Sequence, residues 1–321
     1  MSYNESMNTK NRPKIVISGC LLGQNIRHDG GHQRDVWITD ILSKFVDFHP
    51  VCPEMTMGLG TPRETLRVVE GGDGQLKLLE NKSGRDLTME IEESSRKIIA
   101  AFPEADGIIL AKKSPSCGYR TTKIYDEKSG RQLRKAHGFF AQSVMDSFAN
   151  FPIIDSGLLH DPLLKELFVR NIYCHFELKK IGVSTAEVQK FHQRFKYMLM
   201  EHDPKSVAKL GTIAANSLKS KDVKNDYAIE FMNTIMSSKP TLKKRANVFY
   251  HIYGYFKTDL NKDEKDHVLN KIEDYTRGET SYLSLLELFS FLVSSKNKEY
   301  LKEQVLLGLY PKELKLLKLI D

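Results

Sequence analysis

The first half of the chain alternates short apolar runs with amphipathic segments. Strand-like runs occur at 14–18 (KIVIS), 47–51 (DFHPV), 107–111 (GIILA) and 151–155 (FPIID). Between them, apolar residues recur at helical spacing in 35–46, 87–102 and 138–148. Apolar strands separated by amphipathic helices are typical of a parallel sheet covered by helices. We therefore predict an α/β domain with a Rossmann-like parallel sheet and helices on both faces, in which residues 70–86 form an inserted hairpin or loop.

The second half changes character, because helical patterns follow one another and β-rich runs almost disappear. Apolar residues form one stripe along 185–203, and segment 284–293 is apolar nearly all round, which is typical of a central helix. We predict an all-α domain here. The predicted organisation is an α/β domain over 12–157, a connecting segment over 158–185 that contains a helix at 162–180, and an all-α domain over 186–321.

Hydropathy and charge narrow the class of protein. The sequence contains no apolar run of about 18 residues, so we predict no membrane span. The polar first dozen residues lack the apolar stretch of a signal peptide, and we predict a disordered tail on a cytoplasmic protein. The net charge is +7; residues 191–250 carry 11 Lys and Arg against 5 Asp and Glu, and residues 112–135 carry 8 against 2. Such stretches suit a polyanion such as RNA, although a solvated lysine-rich face has the same composition.

Three cysteines follow three predicted strands. Cys20 lies just past the first strand, Cys52 directly after the second, and Cys117 a few residues past the third. Ligands of open parallel sheets bind outside the carboxyl ends of the strands, so these thiols are expected at one edge. The gaps of 52 − 20 = 32 and 117 − 52 = 65 residues exclude a local CxxC finger. We predict a metal site that the fold assembles, and we expect Cys174 to be a packed residue.

The number of thiols leaves alternatives open. Three thiolates can hold zinc or an iron–sulfur cluster. A closed zinc site needs a fourth ligand, for which His28, His32 and His49 are candidates. A cubane cluster held by three cysteines leaves one iron open to act as a Lewis acid. Three buried cysteines used as small apolar residues are the remaining interpretation.

Polar residues beside the cysteines suggest a reactive site. Glu54 follows Cys52 by two residues and can relay protons, although it can equally pair with Arg63 or Arg67 near a helix start. Ser114 and Ser116 precede Cys117, where they can take part in catalysis or simply in turn and cap hydrogen bonds.

At this point the motifs resemble a known family. SGCLLGQNIRHDGG, VCPEMTMGLGTPRE and KKSPSCG resemble the three signature loops of the thiouracil desulfidase (TudS) family. The helical half resembles the YbgA-like domain often fused to it, through FHQRFKYMLMEHDP, KKRANVFYHIYGYFKTDL and EKDHVLNKIEDYTRGE. Together the two resemblances cover most of the chain, and the two-domain form looks like the tRNA 4-thiouridine desulfidases. The sequence departs from the family in one place, where Gly19 stands instead of an expected alanine, and we expect ligation to be unaffected.

The resemblance implies a cofactor, a reaction and residue roles. A 4Fe–4S cluster would be held by Cys20, Cys52 and Cys117, and its fourth iron would bind the sulfur of a thiolated pyrimidine. Glu54 matches the catalytic acid and Ser114 the catalytic serine of the family, with Ser116 as its less certain neighbour. The implied reaction returns 4-thiouridine in tRNA to uridine and releases hydrosulfide without a net redox change.

Cations complete the expected site. The residues expected near the substrate phosphate are Arg27, Lys112, Lys113 and Arg120. The residues expected to contact the tRNA backbone are Lys243, Lys244 and Arg245. Alternative functions are a desulfidase of free thiouracil or thio-UMP, an RNA-binding protein with a structural zinc site, and an iron–sulfur dehydratase-like enzyme acting on a small hydroxy acid.

Overall fold

The structure is a computed structural model that describes residues 12–215 and 222–319. The predicted disordered tail falls almost entirely on residues 1–11, which lie outside the described residues. The chain forms two compact units that divide between Phe168 and Val169. No helix in the described part of the chain is both long enough and apolar enough to cross a membrane.

The first unit contains strands, short turns and helices. Its strands are β1 (Lys14–Ser18), β2 (Asp47–Val51), β3 (Leu66–Glu70), β4 (Leu76–Glu80), β5 (Gly107–Leu110), β6 (Thr122–Asp126), β7 (Gln132–Ala136) and β8 (Ile153–Asp155). Its helices are α1 (Pro53–Thr56), α2 (Thr88–Ala101), α3 (Phe139–Ser147) and α4 (Pro162–Lys179), the last of which contains the division between the units.

The central sheet has the order β2-β1-β5-β8, and each neighbouring pair is parallel. The predicted parallel-sheet α/β class is therefore confirmed. Strands β1 and β5 are buried almost throughout. Their apolar residues Ile17 and Ile109, for example, have no exposed surface. Burial on both sides explains why these strands show continuous rather than alternating apolar patterns.

A second sheet has the order β4-β3-β6-β7. Residues 70–86, predicted as an inserted hairpin or loop, contain β4, which pairs antiparallel with β3, but β3 lies before this range except for Glu70. Strands β6 and β7 were not foreseen. The sheet packs on α2 through the buried residues Val68, Leu78, Leu87, Ile91 and Ile124.

The segment 35–46, expected to be helical, is helical over residues 37–44 but does not form one regular α-helix. The segment forms a π-helical turn at Trp37–Ile41 and a 3-10 turn at Leu42–Lys44. In the two turns only Ile38 and Leu42 are buried, and the preceding Val36 is 63% exposed. Four β-branched residues in six positions, 36 to 41, lower the helix propensity of this segment, so the short buried stripe does not hold it in one regular helix.

The second unit is helical, which confirms the all-α prediction. Its helices are α5 (Thr185–His202), α6 (Pro204–Ala215), α7 (Val223–Ser237), α8 (Leu242–Tyr253), α9 (Lys262–Arg277), α10 (Tyr282–Ser295) and α11 (Glu299–Lys302). Local signals fix the ends of several helices. Ser184 and Glu187 form a capping box before α5, and Gly278 ends α9 with φ of 76°.

Candidate functional site

The fold brings the three predicted cysteines to one place. Cys20 lies in a 3-10 turn directly after β1, Cys52 follows β2 at once, and Cys117 lies in the loop after β5. These strands are adjacent and parallel, so their carboxyl ends meet at the same edge of the sheet.

The cysteines line one cavity of about 440 Å³. This volume lies within the range of roughly 300 to 1,000 Å³ typical of small-molecule sites. The polar and charged residues that also line it include Ser18, Arg27, His28, Glu54, Arg63, Lys112, Lys113 and Ser114. In residues 12–215 and 222–319, no group of three or more His, Cys, Asp or Glu is arranged around a single metal-ion position.

Cys20 and Cys117 are buried, Cys52 is partly buried, and the three thiols influence one another. Burial and, to a lesser extent, the neighbouring Cys52 raise the pKa of Cys20 to about 11, against the opposing effect of Arg27. Burial also raises the pKa of Cys52. The pKa of Cys117 lies well above its usual range because of burial and then Cys52, against a hydrogen bond with Ser18. All three side chains therefore favour the neutral thiol unless a cation binds them.

Glu54 is held by two neighbours. Its Oε1 accepts a hydrogen bond of 2.9 Å from Ser116 Oγ, and its Oε2 accepts from Arg63 Nε at 3.0 Å and from Arg63 Nη2. The Arg63 side chain is 5% exposed and that of Glu54 14%. The pairing with Arg63 considered from the sequence is thus present, and it occurs inside the cavity rather than at the surface.

The two serines have different surroundings. Ser114 lines the cavity, and its Oγ accepts the backbone N–H of Ser116 at 3.2 Å and of Cys117 at 3.0 Å. It therefore shapes the turn that carries Cys117, as expected for a cap hydroxyl. Ser116 is fully buried and donates to Glu54. The sequence suggested Arg63 as a partner of Glu54, but it did not suggest that Ser116 would bind the same carboxylate.

Of the four cations predicted near the substrate phosphate, three line the cavity and one does not. Arg27, Lys112 and Lys113 line the cavity, and Arg27 Nη1 donates to Gln33 Oε1 at 3.3 Å. Arg120 is exposed, lies over the Tyr119 ring at 5.3 Å, and is not among the lining residues.

The candidate zinc-ligand histidines are separated. His28 lines the cavity. His32 Nδ1 accepts from Arg34 N at 3.2 Å, and the His49 ring packs against Phe102 with centroids 5.0 Å apart.

In the second unit, the three predicted backbone contacts also differ. Lys243 is exposed. Lys244 Nζ donates to Ser238 Oγ at 2.8 Å and to the His202 carbonyl. Arg245 is 5% exposed, with its Nε 3.2 Å from Glu201 Oε1 and its guanidinium 4.0 Å from the Tyr282 ring centroid. A buried guanidinium is not presented to a phosphate, so the expected role of Arg245 is not supported by its position.

Sequence reasoning missed a buried polar cluster in the same unit. Glu201 pairs with Arg170 and Arg245, and His202 beside it has no exposed surface. Burial, with Arg170 nearby, lowers the pKa of His202 to about 3. The only signal in the sequence was that Glu201 and His202 follow the apolar stripe of α5, and polar residues at such a position are normally assigned to the surface. Cys174, expected to be packed, is fully buried.

The chain is similar to known proteins in both units. Residues 15–156 match a family model described as 2-thiouracil desulfurase, and residues 196–311 match one described as a protein of unknown function (DUF1722). It is 34% identical to the uncharacterized protein YbbK of Bacillus subtilis (strain 168) over 32% of this chain and 72% of that protein. It is 23% identical to the uncharacterized protein YbgA of Escherichia coli (strain K12) over 43% of this chain and 83% of that protein.

A solved structure, titled "[4Fe-4S]-dependent thiouracil desulfidase TudS", aligns with a TM-score of 0.37 and 24% identity, over 47% of this chain and 95% of that chain. The resemblance inferred from the three cysteine loops is confirmed by the matched family models. This chain belongs to the 2-thiouracil desulfurase family through residues 15–156, and it carries a DUF1722 domain over residues 196–311.

Proposed function

We propose that this protein is an iron–sulfur-dependent desulfidase that removes sulfur from thiolated uracil, with 4-thiouridine of tRNA as the substrate and the cytoplasm as its compartment. The observation that carries the proposal is the cavity at the sheet edge, where three thiols, two of them buried, and one fixed carboxylate meet in a 2-thiouracil desulfurase domain.

The donor set fits a 4Fe–4S cluster. Cys20, Cys52 and Cys117 present soft sulfur ligands on a common wall, and thiolates are the usual ligands of such clusters. The raised thiol pKa values do not oppose this fit, because a bound metal deprotonates a coordinating thiol outright. When bound with three protein ligands, the cluster would supply an open iron as a Lewis acid for a soft thiocarbonyl sulfur.

The reaction exchanges a C–S bond for a C–O bond. Water adds to the ring carbon, the C–S bond breaks, hydrosulfide leaves with the bonding electron pair, and the remaining hydroxyl proton is released as the carbonyl forms, so no electron donor or acceptor is needed. Glu54 would take a proton from the attacking water and return it to the leaving sulfur, as a general base and then a general acid. The Ser114 hydroxyl, which also lines the cavity, would hold the pyrimidine ring or the attacking water.

The surroundings favour a nucleotide over a free base. Arg27, Lys112 and Lys113 line the cavity, where a phosphate would bind cations in a partly dehydrated space. Free thiouracil offers these three cations no counter-charge. The exposed Lys243 of the helical unit is the candidate contact for more distant tRNA phosphates.

The test uses protein purified without oxygen and reconstituted with iron and sulfide. Substrates are 4-thiouridine tRNA, 4-thio-UMP and thiouracil, followed by loss of the thiocarbonyl absorbance and by sulfide release. We expect turnover with the wild type and a fall of about 10²- to 10⁴-fold in Glu54→Gln, the usual contribution of a positioned proton-transfer group. If 4-thio-UMP or thiouracil were converted but 4-thiouridine tRNA were not, the substrate would be a small molecule rather than tRNA. A colourless protein that contains zinc and releases no sulfide would refute the proposal.

A further inference from the structure

The carboxylate of Glu54 is restrained more than its role as a proton carrier alone requires. Among the described residues, three donor atoms reach it: Ser116 Oγ at Oε1, and Arg63 Nε and Nη2 both at Oε2. An ionised carboxylate offers about four acceptor sites, roughly two on each oxygen. The two sites of Oε2 are therefore filled by Arg63, and the remaining site is on Oε1.

From this geometry we infer that Arg63 and Ser116 are positioning residues that leave Oε1 as the one Glu54 oxygen available for proton transfer. The inference rests on the proposed desulfidase function. Arg63 turns Oε2 away from the reaction by occupying it, and Ser116 fixes the direction in which the remaining lone pair of Oε1 points.

Arg63 is itself held in place. Its Nη1 donates to the Gly60 carbonyl at 2.7 Å, and its backbone N–H donates to the His28 carbonyl at 2.9 Å. Because the guanidinium is a rigid planar fork, these contacts set the angle at which its other two nitrogens meet Glu54. A lysine would keep the charge but would lose this geometry.

Ser116 is held equally firmly. Its carbonyl accepts the N–H of Phe140 at 2.9 Å, and its own N–H donates to Ser114 Oγ at 3.2 Å. Gly138 allows this packing, because a Cβ there would lie 2.5 Å from the Ser116 carbonyl oxygen. Ser116 precedes Cys117 in the chain, so its hydroxyl links the loop of Cys117 to the acid that follows Cys52.

In this arrangement, two residues that act through Glu54 would affect the chemical step. A general base works only when its accepting atom is within hydrogen-bond reach of the proton, and an error of about 1 Å in a catalytic group can cost on the order of 100-fold in rate. Loss of either restraint lets the carboxylate rotate but leaves the cavity cations Arg27, Lys112 and Lys113 in place.

The experiment compares Arg63→Ala, Arg63→Lys and Ser116→Ala in the full, cluster-loaded chain. Matched controls are Arg34→Ala, which removes an arginine paired with Asp40 away from the cavity lining, and Ser95→Ala, which removes a buried hydroxyl bonded to the Ile91 carbonyl. We expect kcat to fall about 10- to 100-fold in Arg63→Ala, with KM changed less than about threefold. Added guanidinium ion should restore part of kcat in Arg63→Ala and leave Arg34→Ala unchanged.

A second readout does not need turnover. Carbodiimide labelling of Glu54, measured by mass spectrometry, should rise in Arg63→Ala and in Ser116→Ala relative to the wild type and both controls. Iron and sulfide content verifies that each variant carries its cluster, and Arg63→Lys and Ser116→Ala keep the test decisive if Arg63→Ala does not fold.

The outcomes separate the two proposals. An inactive wild type with intact cluster refutes the desulfidase function, whatever the labelling shows. An active wild type with unchanged kcat in Arg63→Ala and Ser116→Ala overturns the positioning role alone. A loss confined to KM, or labelling of Glu54 that is the same in all variants, overturns it as well.

Discussion

Acidification should destabilise the helical unit through His202. This residue is fully buried at the end of α5, where its Nδ1 lies 2.6 Å from the Ser238 carbonyl oxygen and therefore donates to it. Burial and the cations Arg170 and Arg245 lower its pKa to about 3, while Glu201 and the Ser238 carbonyl oppose the shift.

The sign follows from the two states. The native pKa lies below the ordinary value of 6.5, so between these values the unfolded chain binds a proton that the folded chain does not. Stability from this group is therefore complete above about pH 6.5 and is lost progressively as the pH falls toward the native pKa. Because one pKa unit corresponds to 1.36 kcal/mol, a change from about pH 7.5 to about pH 5 should cost about 2 kcal/mol.

Hydrogen exchange of the α5 amides, corrected for intrinsic rates, measures this loss in the helical unit itself. Fluorescence is unsuitable because the only tryptophan, Trp37, lies in the first unit. The control is His202→Asn, whose amide can still donate to the Ser238 carbonyl but does not titrate. The wild type should lose about 2 kcal/mol more than this variant over the interval. Equal losses in the two proteins would refute the reasoning.

Three further predictions concern other groups. Cys117→Ala should bind less iron and sulfide after reconstitution than the wild type. Cys174→Ala should keep the wild-type content, because the Cys174 side chain is buried on α4 and does not line the cavity. Equal loss in both variants would contradict ligation by the cavity thiols. Glu201→Gln should lower the stability of the helical unit by about 3 to 5 kcal/mol, read from hydrogen exchange, because it removes a buried counter-charge; unchanged protection of α5 would contradict this. Lys112→Ala should raise KM for 4-thio-UMP about 10-fold or more, the value of a charged hydrogen bond, and leave that for thiouracil unchanged; equal effects on both substrates would exclude a phosphate contact.

The meeting of the three cysteines at one sheet edge could be predicted from their positions in the chain. Each cysteine follows a strand with a clear apolar signature, and parallel strands that are neighbours in a sheet end at a common edge. Arg63 was considered, together with Arg67, as a partner of Glu54 near a helix start, and it lies only nine residues away along the chain. Such local constraints can be read without knowing the rest of the fold.

The second sheet lacked a comparable signal. Strand β7 is exposed along nearly its whole length and carries two basic residues, and Lys123 of β6 lies directly across from Lys135 of β7. Like charges opposite each other weaken a pair of strands, so neither apolar alternation nor cross-strand pairing marks these segments in the sequence. The backbone ladder and the buried Ile124 hold the hairpin, and both depend on partners from β3 and α2.

A long-range ion pair explains why Arg245, expected to contact the tRNA backbone, is buried instead. In the sequence it follows two lysines and looks like part of a solvated basic stretch, yet its counter-ion Glu201 lies 44 residues earlier on another helix. A charged residue is buried only when such a partner is supplied, and the sequence gives no measure of which arginine receives one. Lys243, at the start of the same helix, has an exposed side chain because the helical period turns it to the opposite face.

The two serines before Cys117 show how the same turn can serve two purposes. Sequence spacing cannot separate Ser114 from Ser116, because both lie within three residues of the cysteine in one loop. The structure separates them by burial and by hydrogen-bond direction: Ser114 accepts backbone N–H groups at the cavity wall, and Ser116 donates to Glu54 from a position closed to solvent. A hydroxyl that accepts from the backbone still has its own proton to offer to a substrate, whereas one committed to a carboxylate does not. We therefore propose Ser114 as the serine that meets a ligand and Ser116 as the one that orients the acid.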